Sequence, residues 1–254
     1  MSEKKKIALV TGASRGLGKN MAINLAKKGI NVIFTYQSKK EDAIQTAKEI
    51  EKYGAHTAFL QLDVKNIHNI PSFFKNLENC LKDNFQTDRI DYLINNAGIG
   101  EYATFAETTE EQFDSMFNIH IKGAYFLSQS ALKMMNNGGG IINISSGLTR
   151  FYTQGYAAYA AAKGAVEILT KYQAAELGSR GIRANVVAPG PIETDFGGGV
   201  VRDNKDLNQI ISSQTALGRV GLPDDIGSVI AFLCTDEARW INAQRIEVSG
   251  GYYL

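Results

Sequence analysis

Short apolar runs separated by amphipathic stretches of helical length set the strongest limit on what this chain can fold into. The runs fall at residues 7–10, 32–34, 92–94, 141–144 and 184–187, with a last one near 245–248. Stretches at about 41–52, 110–135, 156–177 and after Pro223 have the spacing of amphipathic helices. Strands that are apolar throughout, alternating with helices, form βαβ units around a parallel sheet covered on both faces. Gly29 and Gly54 follow the first two helical stretches, where a helix end favours glycine. The 254 residues suit one α/β domain, and no repeat or linker divides them. The predicted fold is a single Rossmann-like domain, a doubly wound parallel sheet of about seven strands with helices on both faces. Residues 191–214 break the pattern, with Gly197, Gly198 and Gly199 and no clear period. An irregular segment of that length in a compact domain reads as a lid over an active site.

The first strand leads directly into Thr11-Gly12-Ala13-Ser14-Arg15-Gly16-Leu17-Gly18, which opens the first helix. Glycines at such a junction let the backbone approach a pyrophosphate, and the free N–H groups of the helix N-terminus stabilise its charge. Gly12, Ser14, Arg15, Gly16, Leu17 and Gly18 are therefore candidate cofactor contacts. The second strand ends at Tyr36 without the acidic side chain that holds the ribose hydroxyls of NAD. Arg15, with Ser38, Lys39 and Lys40 after that strand, suits a ribose phosphate instead, so NADP(H) is expected in preference to NAD(H), and Gln37 is a further candidate cofactor contact.

Tyr159 and Lys163 stand four residues apart in the helical stretch and share one face. A tyrosine near pKa 10 must shift by about 3 units, roughly 4 kcal/mol, to act as a base near neutrality. A neighbouring ammonium and an oxidised nicotinamide are natural sources of that shift. Ser146 ends the strand over 140–145, on the side where a doubly wound sheet faces its ligand. Its hydroxyl can hydrogen-bond a substrate oxygen there; Ser145 is the less favoured neighbour.

Lys+Arg 27 against Asp+Glu 26 gives no charge excess that points to nucleic acid or membrane, so the expected partner is a small-molecule carbonyl or alcohol. Lys4, Lys5 and Lys6 read as a solvated terminus. Cys80 and Cys234 have no CxxC or histidine company, so no disulfide or metal site is expected. No window has the apolar length of a signal or a membrane span, and the expected setting is cytoplasmic.

Taken with Asp63-Val64, Asn95-Asn96-Ala97-Gly98 and Pro189-Gly190, these motifs resemble, in order and over nearly the whole chain, the short-chain dehydrogenase/reductase family. Within it the likeness is to the compact bacterial branch of 3-oxoacyl-(acyl carrier protein) reductases and glucose dehydrogenases. The resemblance implies Asp63 and Val64 at the adenine, and Asn96, Ala97 and Gly98 bordering the cofactor. It also implies Ile192 and Thr194, after Pro189-Gly190, at the carboxamide. It further implies Ser146 holding the substrate oxygen, Tyr159 exchanging its proton, Lys163 binding the nicotinamide ribose while lowering the tyrosine pKa, and a homotetramer. An acyl thioester is one substrate so implied. Where the family often carries a relay asparagine, three residues before Gly123, this chain has His120, which can hydrogen-bond a relay water or shuttle protons itself. Two alternatives stand beside the carbonyl reductase: an enoyl-thioester reductase using Tyr156 and Lys163, and a catalytically silent nucleotide sensor.

Overall fold

The computed structural model describes residues 5–254, and Lys4 lies outside them. Seven strands form one sheet: β1 (Ile7–Val10), β2 (Asn31–Tyr36), β3 (Thr57–Gln61), β4 (Ile90–Asn95), β5 (Met135–Ile144), β6 (Arg183–Pro189) and β7 (Arg245–Val248). Their spatial order is β3-β2-β1-β4-β5-β6-β7, and every pairing is parallel. The helices are α1 (Gly16–Lys27), α2 (Lys40–Glu51), α3 (Ile70–Phe85), α4 (Glu110–Phe117), α5 (Ala124–Ala131), α6 (Ala157–Leu177), α7 (Val200–Asp203), α8 (Lys205–Ser213) and α9 (Pro223–Leu233).

Alternation along each strand divides the core. Ala8 and Val10 of β1 face α1, α2 and α9 with Met21, Leu25, Ile50 and Ile230. Ile7 and Leu9 face α3, α5 and α6 with Phe73, Leu77, Leu127 and Ala174. The strand order reverses between β1 and β4, and a ligand crevice opens beyond the carboxyl ends of strands at such a point. The glycine turn and residues 95–98 both lie there.

Three elements differ from the sequence reading. The edge strand β3 was not among the apolar runs, because it is only partly buried and carries Thr57 and Gln61 at its ends. The stretch over 110–135 is not one helix: α4 and α5 flank a π-helical turn at Asn118–Gly123, and Met135 already opens β5. A Cβ on Gly123 would lie 2.5 Å from the Val64 carbonyl oxygen, so the wider turn brings the backbone against the loop after β3. Residues 191–214 are half helical: α8 is capped by the Asn204 side chain, which accepts from Leu207 N at 3.0 Å, and it buries Ile211. At the N-terminus, Lys5 donates to the Gly54 carbonyl at 2.9 Å and Lys6 faces Asp91 at 3.7 Å, so these two lysines hold β1 to its surroundings.

Candidate active site

The turn after β1 is fixed by side chains from two neighbouring strands. Gly12 N–H donates to Thr35 Oγ1 at 3.0 Å, and Asn96 Nδ2 donates to the carbonyls of Thr11 and Gly12 at 2.8 and 3.0 Å. Thr11 Oγ1 accepts in turn from the backbone of Asn96 and Ala97 at 3.0 and 2.9 Å. Gly12 sits at φ +63°, and a Cβ there would meet Ala97 Cα at 2.9 Å; one on Gly18 would meet Gly12 O at 2.4 Å. Only glycine therefore lets the turn close onto residues 96–97. The N-terminus of α1 carries no side-chain cap and no acid in its first turn. Its N–H groups and positive dipole end face the crevice free, as a pyrophosphate needs. Arg15 is exposed beside them, 4.0 Å from Asp195 of the segment after β6. A dinucleotide phosphate fits this cradle, and no acidic residue stands at Tyr36–Lys40 to oppose a ribose phosphate.

α6 brings Tyr159 and Lys163 to the same crevice, both buried. Lys163 Nζ lies 5.7 Å from the centre of the Tyr159 ring and donates to the Ile144 carbonyl at 2.7 Å. Ser146 Oγ, just past β5, accepts from Leu148 N at 3.2 Å, which leaves its own proton free to be donated. Ser145 is turned inward instead, bonded to Glu167 at 2.8 Å. Burial pushes the Tyr159 phenol up to about 12, with the nearby Ser146 hydroxyl drawing it part of the way back. Burial alone brings Lys163 down to about 7. The sequence reading had the lysine lowering the tyrosine. In the protein chain by itself burial outweighs other influences on both groups, raising the phenol and favouring the neutral amine.

His120 lies in the π-helical turn, its ring edge-on to Tyr159 with centroids 5.1 Å apart. Gly98 makes room for it: a Cβ there would be 2.6 Å from His120 Cε1. Nε2 lies 2.7 Å from the Ile99 carbonyl, which can only accept, so Nε2 carries the proton and Nδ1 is an acceptor. Nδ1 and Asn95 Oδ1 are buried acceptors without a partner among the described residues. His120 and Asn95 are among the residues lining one small cavity of about 10 Å³, with Lys163 and Thr11. Burial, and then the charge of Lys163, hold the imidazole well below its ordinary pKa. It is therefore neutral near physiological pH and does not titrate there.

A family model described as enoyl-(acyl carrier protein) reductase matches residues 12–253. An NADPH-dependent aldehyde reductase-like protein of Arabidopsis thaliana is 37% identical over 97% of this chain and 94% of its own length. The 3-oxoacyl-[acyl-carrier-protein] reductase of Staphylococcus aureus is 36% identical, covering 98% of each. The crystal structure of the angucycline C-6 ketoreductase LanV with bound NADP superposes with a TM-score of 0.92 at 36% identity, over 98% of this chain and 95% of that one. The chain belongs to the short-chain dehydrogenase/reductase family. The sequence motifs had pointed there, and the Rossmann-like sheet agrees.

As a short-chain oxidoreductase, the protein distributes its remaining candidate residues around the crevice. Gln37 and Asp63 line an open polar groove past β2 and β3, and Ser38 is exposed beside it. Val64 parts from Asp63 and lines the small cavity instead. Pro189 ends β6; Gly190 N–H bonds the Val248 carbonyl at 3.0 Å, and a Cβ on Gly190 would meet Ser249 at 2.8 Å. Ile192 bridges to Gly221, and Thr194 Oγ1 accepts from Phe196 N at 3.2 Å, which shapes the start of the segment over 191–214. Sequence reasoning missed Glu167 and Arg245. Glu167 Oε1 accepts from Ser145 Oγ, Thr149 Oγ1 and Arg245 Nε at 2.8, 2.7 and 2.8 Å, fastening the loop that carries Ser146. Glu167 stands one turn beyond Lys163 on α6, a spacing that could have found it; its partners come from β7 and the loop after β5. Also missed was the ring of Phe196, 5.6 Å from Tyr159.

Proposed function

We propose that the protein is an NADP(H)-dependent carbonyl reductase in which Tyr159 is the general acid. The observation that carries this reading is the Tyr159 hydroxyl, buried beside Ser146 and one helical turn from Lys163. A phenol near 12 keeps its proton at working pH, which suits a donor to an oxygen gaining negative charge during reduction. When bound, reduced nicotinamide supplies the hydride. Ser146 Oγ donates a hydrogen bond to the carbonyl oxygen and fixes its position, and Tyr159 Oη gives that oxygen its proton. Lys163 stands to bind the ribose and to return a proton to Tyr159. His120 Nδ1 and Asn95 Oδ1, two acceptors facing the Lys163 donor across a space on the order of one water, suit a water that accepts from the lysine and donates to both. His120 thus serves the relay as a fixed acceptor.

Gly12, Ser14, Arg15, Gly16, Leu17 and Gly18 are read as the pyrophosphate and ribose-phosphate contacts, with Gln37, Ser38, Asp63, Val64, Asn96, Ala97, Gly98, Pro189, Gly190, Ile192 and Thr194 around the rest of the cofactor. NADP is favoured by Arg15, by the missing acid after β2 and by the NADP bound to the related ketoreductase. The whole chain is read as one domain with residues 191–214 as its lid, working as a homotetramer. Phe113, Tyr125, Phe126, Ile168 and Tyr172 leave apolar surface exposed on α4, α5 and α6 for that association. Among the described residues no helix is long and apolar enough to cross a membrane. The unpaired Cys80 and Cys234 fit the reducing cytoplasm proposed as its setting.

The test is loss of NADPH absorbance over a panel of ketones, with Tyr159→Phe beside the wild type. The variant is expected to lose at least a hundredfold in kcat, within the usual worth of a general acid, while binding NADPH normally. Tight NADPH binding with no turnover on any carbonyl would instead favour a nucleotide sensor. Faster reduction of a crotonyl than of an acetoacetyl thioester would favour the enoyl reductase, whose Tyr156 stands at the start of α6 with its ring 6.4 Å from that of Tyr159.

A further inference from the structure

Three segments far apart in sequence each bring an aromatic ring to the mouth above Tyr159. Phe196, from the segment after β6, lies 5.6 Å from the Tyr159 ring on one side. Tyr156, preceding α6, lies 6.4 Å from it on another, and Tyr102, from the loop after β4, stands edge-on to Tyr156 at 6.0 Å. These positions are built into the backbone. A Cβ on Gly100 would fall 2.4 Å from Phe196 Cζ, and one on Gly155 would fall 2.2 Å from Tyr102 Cε2. Each outer ring thus lies on a glycine belonging to a different segment, and Ala103 N–H bonds the Gly155 carbonyl at 3.0 Å, stitching two of the segments together. Tyr102 and Phe196 remain 62% and 43% exposed, so ring surface is held in place yet still open to a ligand.

The arginine of the segment after β6, Arg202, is engaged by Asp195 and by Asp203, both at 2.7 Å. Fixed aromatic edges and faces around a proton donor favour a flat π-system, since such pairs gain beyond the area they bury.

We propose that the site is specific for a flat, ring-fused aromatic ketone, bound with its aromatic part against Phe196, Tyr156 and Tyr102 and its carbonyl at Tyr159 and Ser146. The proposal rests on the carbonyl reductase reading above. The test compares 2-tetralone with 2-decalone, which share skeleton and carbonyl position and differ in one aromatic ring, and adds the N-acetylcysteamine thioester of acetoacetate as a linear probe, all with NADPH. The wild type is expected to prefer 2-tetralone over 2-decalone in kcat/KM on the order of tenfold, mainly through KM, and to turn over the thioester less efficiently than 2-tetralone. Tyr102→Leu and Phe196→Leu, both at exposed positions, are each expected to reduce that preference by roughly two- to tenfold. Equal kcat/KM for the two ring ketones in the wild type, or a preference unmoved by both variants, overturns the proposal and leaves the reductase reading intact. Absence of turnover on all three probes and on the wider ketone panel, with NADPH bound, overturns both.

Discussion

Replacing Lys163 with Met should change how stability depends on pH, by an amount the structure sets. Burial moves this lysine from 10.5 to about 7. Below pH 7 the ammonium is charged in both folded and unfolded chains, so folding bears the whole cost of burying it, about 5 kcal/mol at 1.36 kcal/mol per pKa unit. Between 7 and 10.5 the unfolded chain holds more protons at this site than the folded one, so stability rises with pH across that window. Integrated from pH 6.5 to 8.5, the gain from this residue is about 2 kcal/mol. Methionine keeps the length of the side chain and removes the titration. It also loses the hydrogen bond to the Ile144 carbonyl, but that loss is a constant offset and leaves the slope alone. The assay is urea unfolding of both proteins without nucleotide, at one fixed protein concentration, at several pH values in that range. Wild-type stability should gain about 2 kcal/mol on the variant as the pH rises. Groups away from the site cancel in the difference, and His120, relieved of the Lys163 charge in the variant, is still held down by its own burial, the larger of the two causes. Parallel profiles would refute the reasoning, because they would mean that Lys163 keeps its aqueous pKa in the folded protein.

His120→Asn is expected to leave the kcat profile between pH 6 and 8 unchanged in shape, since burial and Lys163 keep the imidazole neutral there; a wild-type limb near 6.5 that vanished in the variant would count against this. Gly18→Ala forces a methyl to within 2.4 Å of Gly12 O and 2.5 Å of Asn96 Nδ2. It should destabilise the chain by roughly 1–3 kcal/mol in urea unfolding and weaken NADPH binding measured by fluorescence titration. Glu167→Gln leaves Glu247 as the one carboxylate on Arg245 and loosens the loop bearing Ser146. A cost of roughly 1–2 kcal/mol is expected in unfolding, with kcat for a ketone falling more than NADPH affinity; unchanged kcat would mean that the clamp does not position Ser146.

The pattern of apolar runs was enough to place the parallel sheet, because strands covered on both faces carry a continuous apolar stretch where they cross the core, as β1, β2, β4, β5 and β6 each do. The edge strand β3 escaped that reading for the converse reason: it is only partly buried, so its composition is not forced. The glycine turn was equally legible, since a Cβ at Gly12 or Gly18 cannot coexist with residues 96–97 or with the turn itself, and that constraint acts on residue type directly. The four-residue spacing of Tyr159 and Lys163 is itself enough to put them on one helix face.

What only the tertiary structure decided is the environment of those residues. The pKa values of Tyr159 and Lys163 follow from burial beneath Phe196, Tyr156 and the π-helical turn, and burial is a sum over segments that sequence spacing does not relate. The tautomer of His120 depends on one carbonyl twenty-one residues away, and the hold on Ser146 depends on Arg245 ninety-nine residues further on. Local pattern fixes which atoms a segment carries and which way they alternate. The dielectric around those atoms, and the partners their protons find, are set by contacts that form only when the whole chain closes on itself.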